Sequence, residues 1–497
     1  MPASLLIALT LYFAVMLLIG LYAYRRSTDD VAGYLLGGRQ LGPAVTALSA
    51  GASDMSGWII MGLPGAVYLS GLSNIWIGLG LVAGAYLNYL LVAPRLRAYT
   101  EIAGDSITLP DFFENRFEDS SRLLRIVASI VIIVFFTVYT SSGLVGGGKL
   151  FENAFGQSYE MGLYITAGVV VLYTLFGGFL AVSMTDFVQG CIMFAALILV
   201  PIVAVIELGG VGPVIDTVNA IDASHLWISN LSIAAVISSL AWGLGYFGQP
   251  HIIVRFMAIR SVGDIKVARR IGMSWMLTCL LGAMAIGFVG IAFVAKAQVP
   301  LTDPEAIFIL LSQLLFHPFI TGFLLAAVLA AIMSTVSSQL LVTSSSLTED
   351  IYKAFLQKEA SQHQLVFVGR LCVALVAMLA IFLAHNRDSS ILQLVSHAWA
   401  GFGAAFGPMI LLSLYWRRMT SAGALAGIVV GAATVLIWIY APISIAGQSL
   451  SQIIYAMVPG FLLSTLAIVL VSRLTQTPSE EINAAFSAME AKVKSEL

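Results

Sequence analysis

Long apolar runs dominate the chain, and short polar stretches separate them. A bilayer crossing takes about 20 apolar residues. On that measure the pattern predicts thirteen spans, at about 4–24, 42–69, 74–94, 124–149, 160–180, 184–207, 230–255, 271–295, 318–346, 364–385, 390–416, 421–442 and 451–472. The first run is too long for a signal-peptide core and leads into Arg25 and Arg26 without a small-residue cleavage site, so it reads as a retained span. A polar tail, 474–497, follows the last run. There Ser479, ahead of Glu480 and Glu481, is placed to cap a short surface helix.

Two spans are interrupted. The second contains SAGASDMSGW (Ser49 to Trp58), in which seven of ten residues are Gly, Ala or Ser, and it continues past Pro64. The seventh contains WGLGYFGQP (Trp242 to Pro250), with three glycines and a proline in nine residues. Proline removes an N–H and clashes with the preceding turn. Irregular backbone at membrane depth is tolerated where it lines a cavity or is buried in protein. The two breaks hold matching places in consecutive five-span blocks. That is the pattern of an inverted-repeat transporter with its site at the repeat interface. Two unrelated kinks are the plainer alternative.

Composition narrows the class. The 497 residues are 59% hydrophobic and 10% charged, and mean hydropathy is +0.95. Soluble domains carry about 25% charged residues, so this is an integral membrane protein. A net charge of −2 gives no reason to expect nucleic acid. Cys191, Cys279 and Cys372 are scattered in apolar runs and form neither metal spacing nor a disulfide framework. No paired acid and base or metal cluster marks an enzyme. The basic residues set the orientation: with the N-terminus outside, 21 Lys and Arg, among them Arg255 and Lys358, fall inside and 3 outside.

Several motifs read as packing. GLVGGGK (Gly143 to Lys149) matches GxxxxGK, but Leu150 stands where Ser or Thr is needed, and the stretch ends an apolar span. It reads as close helix contact, as do the GxxxG pairs Gly80/Gly84, Gly403/Gly407 and Gly427/Gly431. The six histidines do not cluster. A proton-relay role for His397 is weaker than a hydrogen-bonded place inside the bundle.

Polarity inside the apolar runs is informative. Asp54 reads as the only acid well inside a span, at an insertion cost of about 2.5–3.5 kcal/mol. Burial beside a paired Arg is the alternative, disfavoured because no Arg or Lys lies at comparable depth. The ninth span reads AIMSTVSSQLLVTSSS (Ala331 to Ser346), with eight Ser or Thr. Ala331, Ser334 and Thr335 share a helix face. Adjacent hydroxyls, with carbonyls freed by a broken helix, suit a small hard cation. Back-bonding to their own helix is the alternative.

SAGASDMSGW, SITLPDFFENRF (Ser106 to Phe117), Tyr139 with Ser141 and Ser142, WGLGYFGQPHIIVRF, and AAIMSTVSSQLLVTSSSLTEDIYK together resemble the sodium:solute symporter family, and within it the sodium/proline symporters. The likeness runs from the first span to the thirteenth. It implies an all-α LeuT-type 5+5 inverted repeat, with repeat one at about 42–207, repeat two at about 230–416, and extra spans at 4–24, 421–442 and 451–472. It implies a sodium site at the carbonyls of Ala52, Met55 and Ala331 and the hydroxyls of Ser334 and Thr335, with Asp54 assisting. Ser56, Gly57, Tyr139, Trp242, Tyr246 and Pro250 match solute-pocket positions. Arg39 and Asp186 match positions linked to sodium coupling, Asp186 opening span six near the inner surface.

The resemblance further implies sodium-coupled uptake of L-proline across a bacterial cytoplasmic membrane, with Na+ as the co-transported ion and no organic cofactor or obligate protein partner. Trp242 and Tyr246, four apart, form one aromatic wall if their segment stays α-helical. N–H groups near Ser56 and Gly57 are placed to receive a carboxylate. Symport of another small amino acid or carboxylate, coupled to sodium or protons, is the runner-up. A non-transporting sensor lacks room for a signalling domain in the tail.

Overall fold

Gly and Pro positions decide where the helices break, and apolar stretches decide where they run. The computed structural model describes residues 3–26, 33, 36–229, 231–357 and 359–496. Asn230, Lys358 and Leu497, counted above in a span, a loop and the tail, lie outside them. Among the described residues ten helices are long and apolar enough to cross a membrane. The one sheet there is a hairpin pairing Ser444–Ile445 with Gln448–Ser449.

The chain opens with α1 (Ala3–Arg26). The second run is split: α2 (Pro43–Asp54) stops at Met55, where φ −79° and ψ 75° leave the helical region. A π-turn at Trp58–Gly62 then leads into α3 (Leu63–Ser70). Next come α4 (Ile75–Leu87), α5 (Ala93–Ile102), the short α6 (Leu109–Phe117) and α7 (Leu123–Phe155). The runs expected at 160–180 and 184–207 are two helices joined end to end, numbered together as α8 (Tyr159–Glu207), with the helix broken between them at Gly178 (φ 58°, ψ −164°). A glycine is needed there because L side chains avoid that conformation.

After α9 (Val211–Ile221) the seventh run is also split. It comprises α10 (Ile233–Leu240), a 3-10 stretch at Ala241–Gly248, and α11 (Pro250–Ala258) with Pro250 in its first turn. Then follow α12 (Ile265–Ala297), α13 (Ile307–Leu315) and α14 (Pro318–Ser345). A π-stretch carries α14 on to Leu356, ten residues beyond the expected end. The bundle is completed by α15 (Gln362–Leu383), α16 (Ile391–Tyr415), α17 (Ser421–Tyr440), the single turn α18 (Leu450–Ile453) and α19 (Met457–Leu474).

The glycine pairs pack helices together inside the bundle. A Cβ on Gly84 would overlap the backbone of Gly243, and one on Gly431 that of Ala404. In GLVGGGK, Gly143 faces Val336 and Gly147 faces Thr166, so this stretch is helix–helix contact. Large apolar side chains such as Leu18, Ile206 and Phe382 stay exposed on the outer helix faces, as a lipid-facing surface requires.

The tail forms α20 (Glu480–Glu496). The Ser479 hydroxyl accepts from the Ile482 N–H at 3.1 Å, as expected of a cap. The helix is more than a surface element, because Ile482, Phe486 and Met489 are buried where it packs on α5.

Candidate functional site

The two broken runs meet. The Tyr246 hydroxyl, from the 3-10 stretch, donates to Asp54 Oδ2 at 2.5 Å. Asp54 is the last residue of α2, and its backbone carbonyl faces away from a regular helix. That carbonyl accepts from the Trp58 indole at 2.9 Å, the Tyr139 hydroxyl at 3.3 Å and the Ser56 N–H at 2.9 Å. Asp54 Oδ1 is buried and takes no hydrogen bond.

A cluster of oxygens gathers at the carbonyl of Ala52, two residues before Asp54. The Ser334 hydroxyl reaches the Ala52 carbonyl at 2.7 Å and the Ala331 carbonyl at 3.2 Å. Thr335 Oγ1 lies 3.4 Å and 3.2 Å from the same two carbonyls. The hydroxyls bond back to the Ala331 carbonyl of α14, as the back-bonding alternative has it, and also cross to the Ala52 carbonyl of α2. All four residues are buried. Met55 sits just past them with its backbone already out of the helix. A small cation entering this cluster finds oxygens only, which suits a hard ion.

The expected solute positions do not form one pocket. Asp54, Met55 and Tyr246 line a small cavity of about 30 Å³ with Tyr89. Trp242 instead lines an outer cavity of about 510 Å³, where its ring stacks on Tyr455 at 5.4 Å and 19°. The joint aromatic wall is absent for a geometric reason. In a 3-10 helix three residues make a turn, so residues four apart point to different sides. Tyr246 turns to Asp54 and packs edge-on against Trp399 at 5.1 Å. Pro250 borders a third cavity, with Thr108 and Ser345. Ser56 and Gly57 occupy the turn itself; the Ser56 N–H is engaged by Asp54, and Gly57 abuts Ile332 and Ile391. Tyr139 reaches the turn from α7.

The coupling candidates fall at two levels. Arg39 ties the segment before α2 to its neighbours, donating to Asp105 at 3.0 Å, Thr100 at 3.2 Å, the Met257 carbonyl at 2.9 Å and the Ser106 carbonyl at 2.7 Å. Asp186 is not at the inner surface. It lies eight residues past the Gly178 bend, fully buried, and pairs with Arg255 at 3.2 Å. Two sequence expectations fail here: Asp54 is not the only deep acid, and a deep arginine exists, paired with Asp186 and not with Asp54. The signal was present. Pro250 starts the half-helix, so Arg255 lies only about 7.5 Å along it from the break. His251 lies one residue past the break. Its buried ring packs edge-on against Phe136 and Tyr139, at 5.4 Å and 5.8 Å. His397 is half-buried beside Tyr440.

Two broken helices meeting at a buried carboxylate, beside an oxygen cluster, define a membrane transporter that works at helix breaks. The chain belongs to the sodium:solute symporter family, whose family model matches residues 34–431. It is 58% identical to the osmoregulated proline transporter OpuE of Bacillus subtilis, over 99% of both chains. It is 59% identical to the high-affinity proline transporter PutP of the same organism, over 95% of this chain and 98% of that one. With a sodium/proline symporter of Staphylococcus aureus it shares 54% identity, over 95% and 93%. Among solved structures, a Na+-coupled sialic acid symporter in a substrate-bound outward-open state superposes with a TM-score of 0.81, at 20% identity over 96% of this chain and 99% of that one. A nucleobase-cation-symport-1 family transporter gives 0.54 at 13% identity, over 92% and 98%.

Proposed function

We propose that this chain carries L-proline into a bacterial cell together with sodium, by alternating access at the two broken spans. The observation that carries the ion half is the convergence of the Ser334 and Thr335 hydroxyls on the Ala52 carbonyl across the α2–α14 contact. The solute half rests on relatives named as proline transporters at 54–59% identity over nearly the full chain.

In this reading sodium is cargo. Ala52, Met55, Ala331, Ser334 and Thr335 supply oxygens, and Asp54 supplies charge nearby. Sodium replaces the hydroxyl-to-carbonyl bonds and clamps the broken second span to the ninth. Proline's place is the region between Tyr139, Tyr246 and the turn at Ser56 and Gly57, with Trp242 and Pro250 at its outer and inner approaches. Arg39 and Asp186 govern closure on the inner side. The membrane potential adds about 2.3 kcal/mol per charge per 100 mV to inward sodium movement. Linkage requires sodium and proline to raise each other's affinity by one factor.

The architecture we infer has thirteen spans. Ten form a LeuT-type 5+5 repeat, at about 42–207 and 230–416, with one span before and two after. The N-terminus is outside, and the tail 474–497 is cytoplasmic. Labelled proline uptake into proteoliposomes, with sodium, lithium or proton gradients imposed in turn, tests the function. Uptake driven by a proton gradient without sodium would overturn the coupling, and sodium-driven uptake of another amino acid alone would overturn the solute. A tag at Met1 that an impermeant reagent cannot reach in intact cells would reverse the orientation.

A further inference from the structure

Two π-turns in the bundle are built alike. In each, a proline stands six residues past the start of the turn: Pro64 after Trp58, and Pro94 after Asn88. Proline has no N–H and crowds the carbonyl four residues back. The turn ahead of it widens. The Leu63 N–H donates to the Trp58 carbonyl and the Ala93 N–H to the Asn88 carbonyl, each five residues back. The first turn belongs to the break at Asp54. The second, Asn88–Val92, continues α4 in the third run. Single π-turns within α-helices are frequent at functional sites.

The third and seventh runs lie side by side and parallel here. A Cβ on Gly80 would overlap the Leu240 backbone, and one on Gly84 that of Gly243. One turn further on, Asn88 from the third run and Tyr246 from the seventh line the cavity of about 30 Å³ beside Asp54. Tyr246 donates to Asp54 Oδ2. Asp54 Oδ1 takes no hydrogen bond within the chain, and neither atom of the Asn88 amide makes one; all three atoms are buried. Apart from Tyr89 and Tyr246, the rest of the wall is apolar, with Ala50, Ala85, Ile252, Phe256 and Met276. An amide left unbonded in such surroundings is costly, and an apolar side chain would serve packing alone. The space is enough for a water molecule, and the buried carboxylate oxygen and amide supply the polar partners that a water needs.

We propose that one ordered water bridges Asn88 and Asp54, and that Asn88, through it, is a positioning residue for sodium binding. The water accepts from the Asn88 amide nitrogen and donates to Asp54 Oδ1. Tyr246 and Asn88 then hold the two carboxylate oxygens from the seventh and third runs. The charge keeps one orientation beside the oxygen cluster at Ala52 while the ion binds and leaves. This rests on the sodium reading given above. A bridging water is nearly as good a link as a direct hydrogen bond.

The test uses the full chain as Asn88→Leu, Asn88→Ser, Asp54→Asn and the double variant Asp54→Asn/Asn88→Leu. Three quantities are read: the sodium concentration for half-maximal proline uptake in proteoliposomes, the melting temperature without sodium, and a wild-type density map that resolves water, with and without sodium. Asn88→Leu fills the cavity and removes the amide. It is expected to raise half-saturating sodium about fivefold without lowering the melting temperature. Asn88→Ser keeps a hydroxyl and leaves room for water, so it recovers most of that loss. In the Asp54→Asn background Asn88→Leu adds little more, because both changes act on one contact. The map shows one density between Asn88 and Asp54 in both conditions. Wild-type sodium activation in Asn88→Leu, or losses that add in the double variant, overturns the proposal. So does a cavity without density, and so does density present only with sodium, which would assign the space to the ion. Where Asn88→Leu does not fold, Asn88→Ala removes the amide without overpacking and must show the same rise. Wild-type protein without sodium-dependent uptake would sink the functional reading, and the map without sodium would still judge the water.

Discussion

The Tyr246 hydroxyl and the Asp54 carboxylate, from the two interrupted runs, meet in one hydrogen bond of 2.5 Å. Each break thus holds the other's polar group. The second carboxylate oxygen has no partner, although it is buried. A buried acceptor therefore stays open beside the oxygen cluster. An amide at this position keeps an acceptor for Tyr246 and loses the charge. Asp54→Asn is expected to raise half-saturating sodium about tenfold or more, since hydrogen bonds and contacts to charged groups are worth about 1.5–3 kcal/mol. Its melting temperature without sodium should stay near wild type. Unaltered sodium activation of uptake would remove Asp54 from the ion site.

Thr335 is more narrowly placed. Its hydroxyl lies against the Ala52 and Ala331 carbonyls at 3.4 Å and 3.2 Å. Thr335→Val keeps the volume and deletes one oxygen. Half-saturating sodium should rise about five- to tenfold, the equivalent of about 1–1.5 kcal/mol, with proline affinity at saturating sodium little changed. Equal loss at low and saturating sodium would point to packing instead.

These two positions were legible because their signals are local. Small residues around Asp54, and hydroxyls three and four apart from Ala331, mark a break and a face without any tertiary information. Arg255 was not legible in the same way. At the end of an apolar run it counts as a loop residue, and only knowing that α11 begins at Pro250 places it at depth. Trp242 and Tyr246 failed for another reason. The spacing argument takes the segment as an α-helix, while three glycines let Ala241–Gly248 pack tightly and wind as 3-10. Gly243 lies on Gly80 and Gly84, and Gly245 lies under the Trp399 indole. Neighbouring backbone, absent from the local sequence, chose the winding.

Trp242 lies apart from Tyr246 and Asp54, in the larger cavity beside Tyr455. Its ring stacks on Tyr455, whose hydroxyl donates to the Ser396 carbonyl at 2.7 Å and whose N–H donates to Ser238 Oγ at 3.0 Å. Trp242→Ala removes the stack, worth about 0.5–1.5 kcal/mol beyond the buried area. Proline KM should rise severalfold while half-saturating sodium holds, because the oxygen cluster is not touched. A shift in sodium activation with unchanged KM would contradict the outer placement.

Gly84 and Gly243 press backbone on backbone. Gly84→Ala has no flexible side chain to displace, so overpacking should cost about 1–3 kcal/mol or more, lowering both melting temperature and membrane yield. Gly20→Ala, in α1 with open space around it, is the matched control and should leave both unchanged. Equal melting for the two variants would show that the third and seventh runs do not pack this closely in the membrane.

The tail helix gives the last test, because two kinds of contact hold it and they predict different outcomes. Its ion pairs are at the surface: Arg417 with Glu490 at 2.5 Å, Arg95 with the same Glu490 at 3.7 Å, and Lys492 with Glu101 at 2.8 Å. Such pairs are worth at most about 1 kcal/mol each. Its apolar anchor is Phe486, buried edge-on to Tyr99 at 6.1 Å, with the Arg116 guanidinium 5.4 Å from its centre. Removing a buried Phe side chain costs about 3–5 kcal/mol, and a helix of this length is marginal alone in water. Phe486→Ala should therefore free α20, read as faster amide exchange across 480–496, while the melting temperature of the bundle moves little. Glu490→Gln should leave exchange there within about threefold of wild type, since a surface pair contributes so little. If Glu490→Gln releases the helix and Phe486→Ala does not, charge rather than burial holds the tail in place.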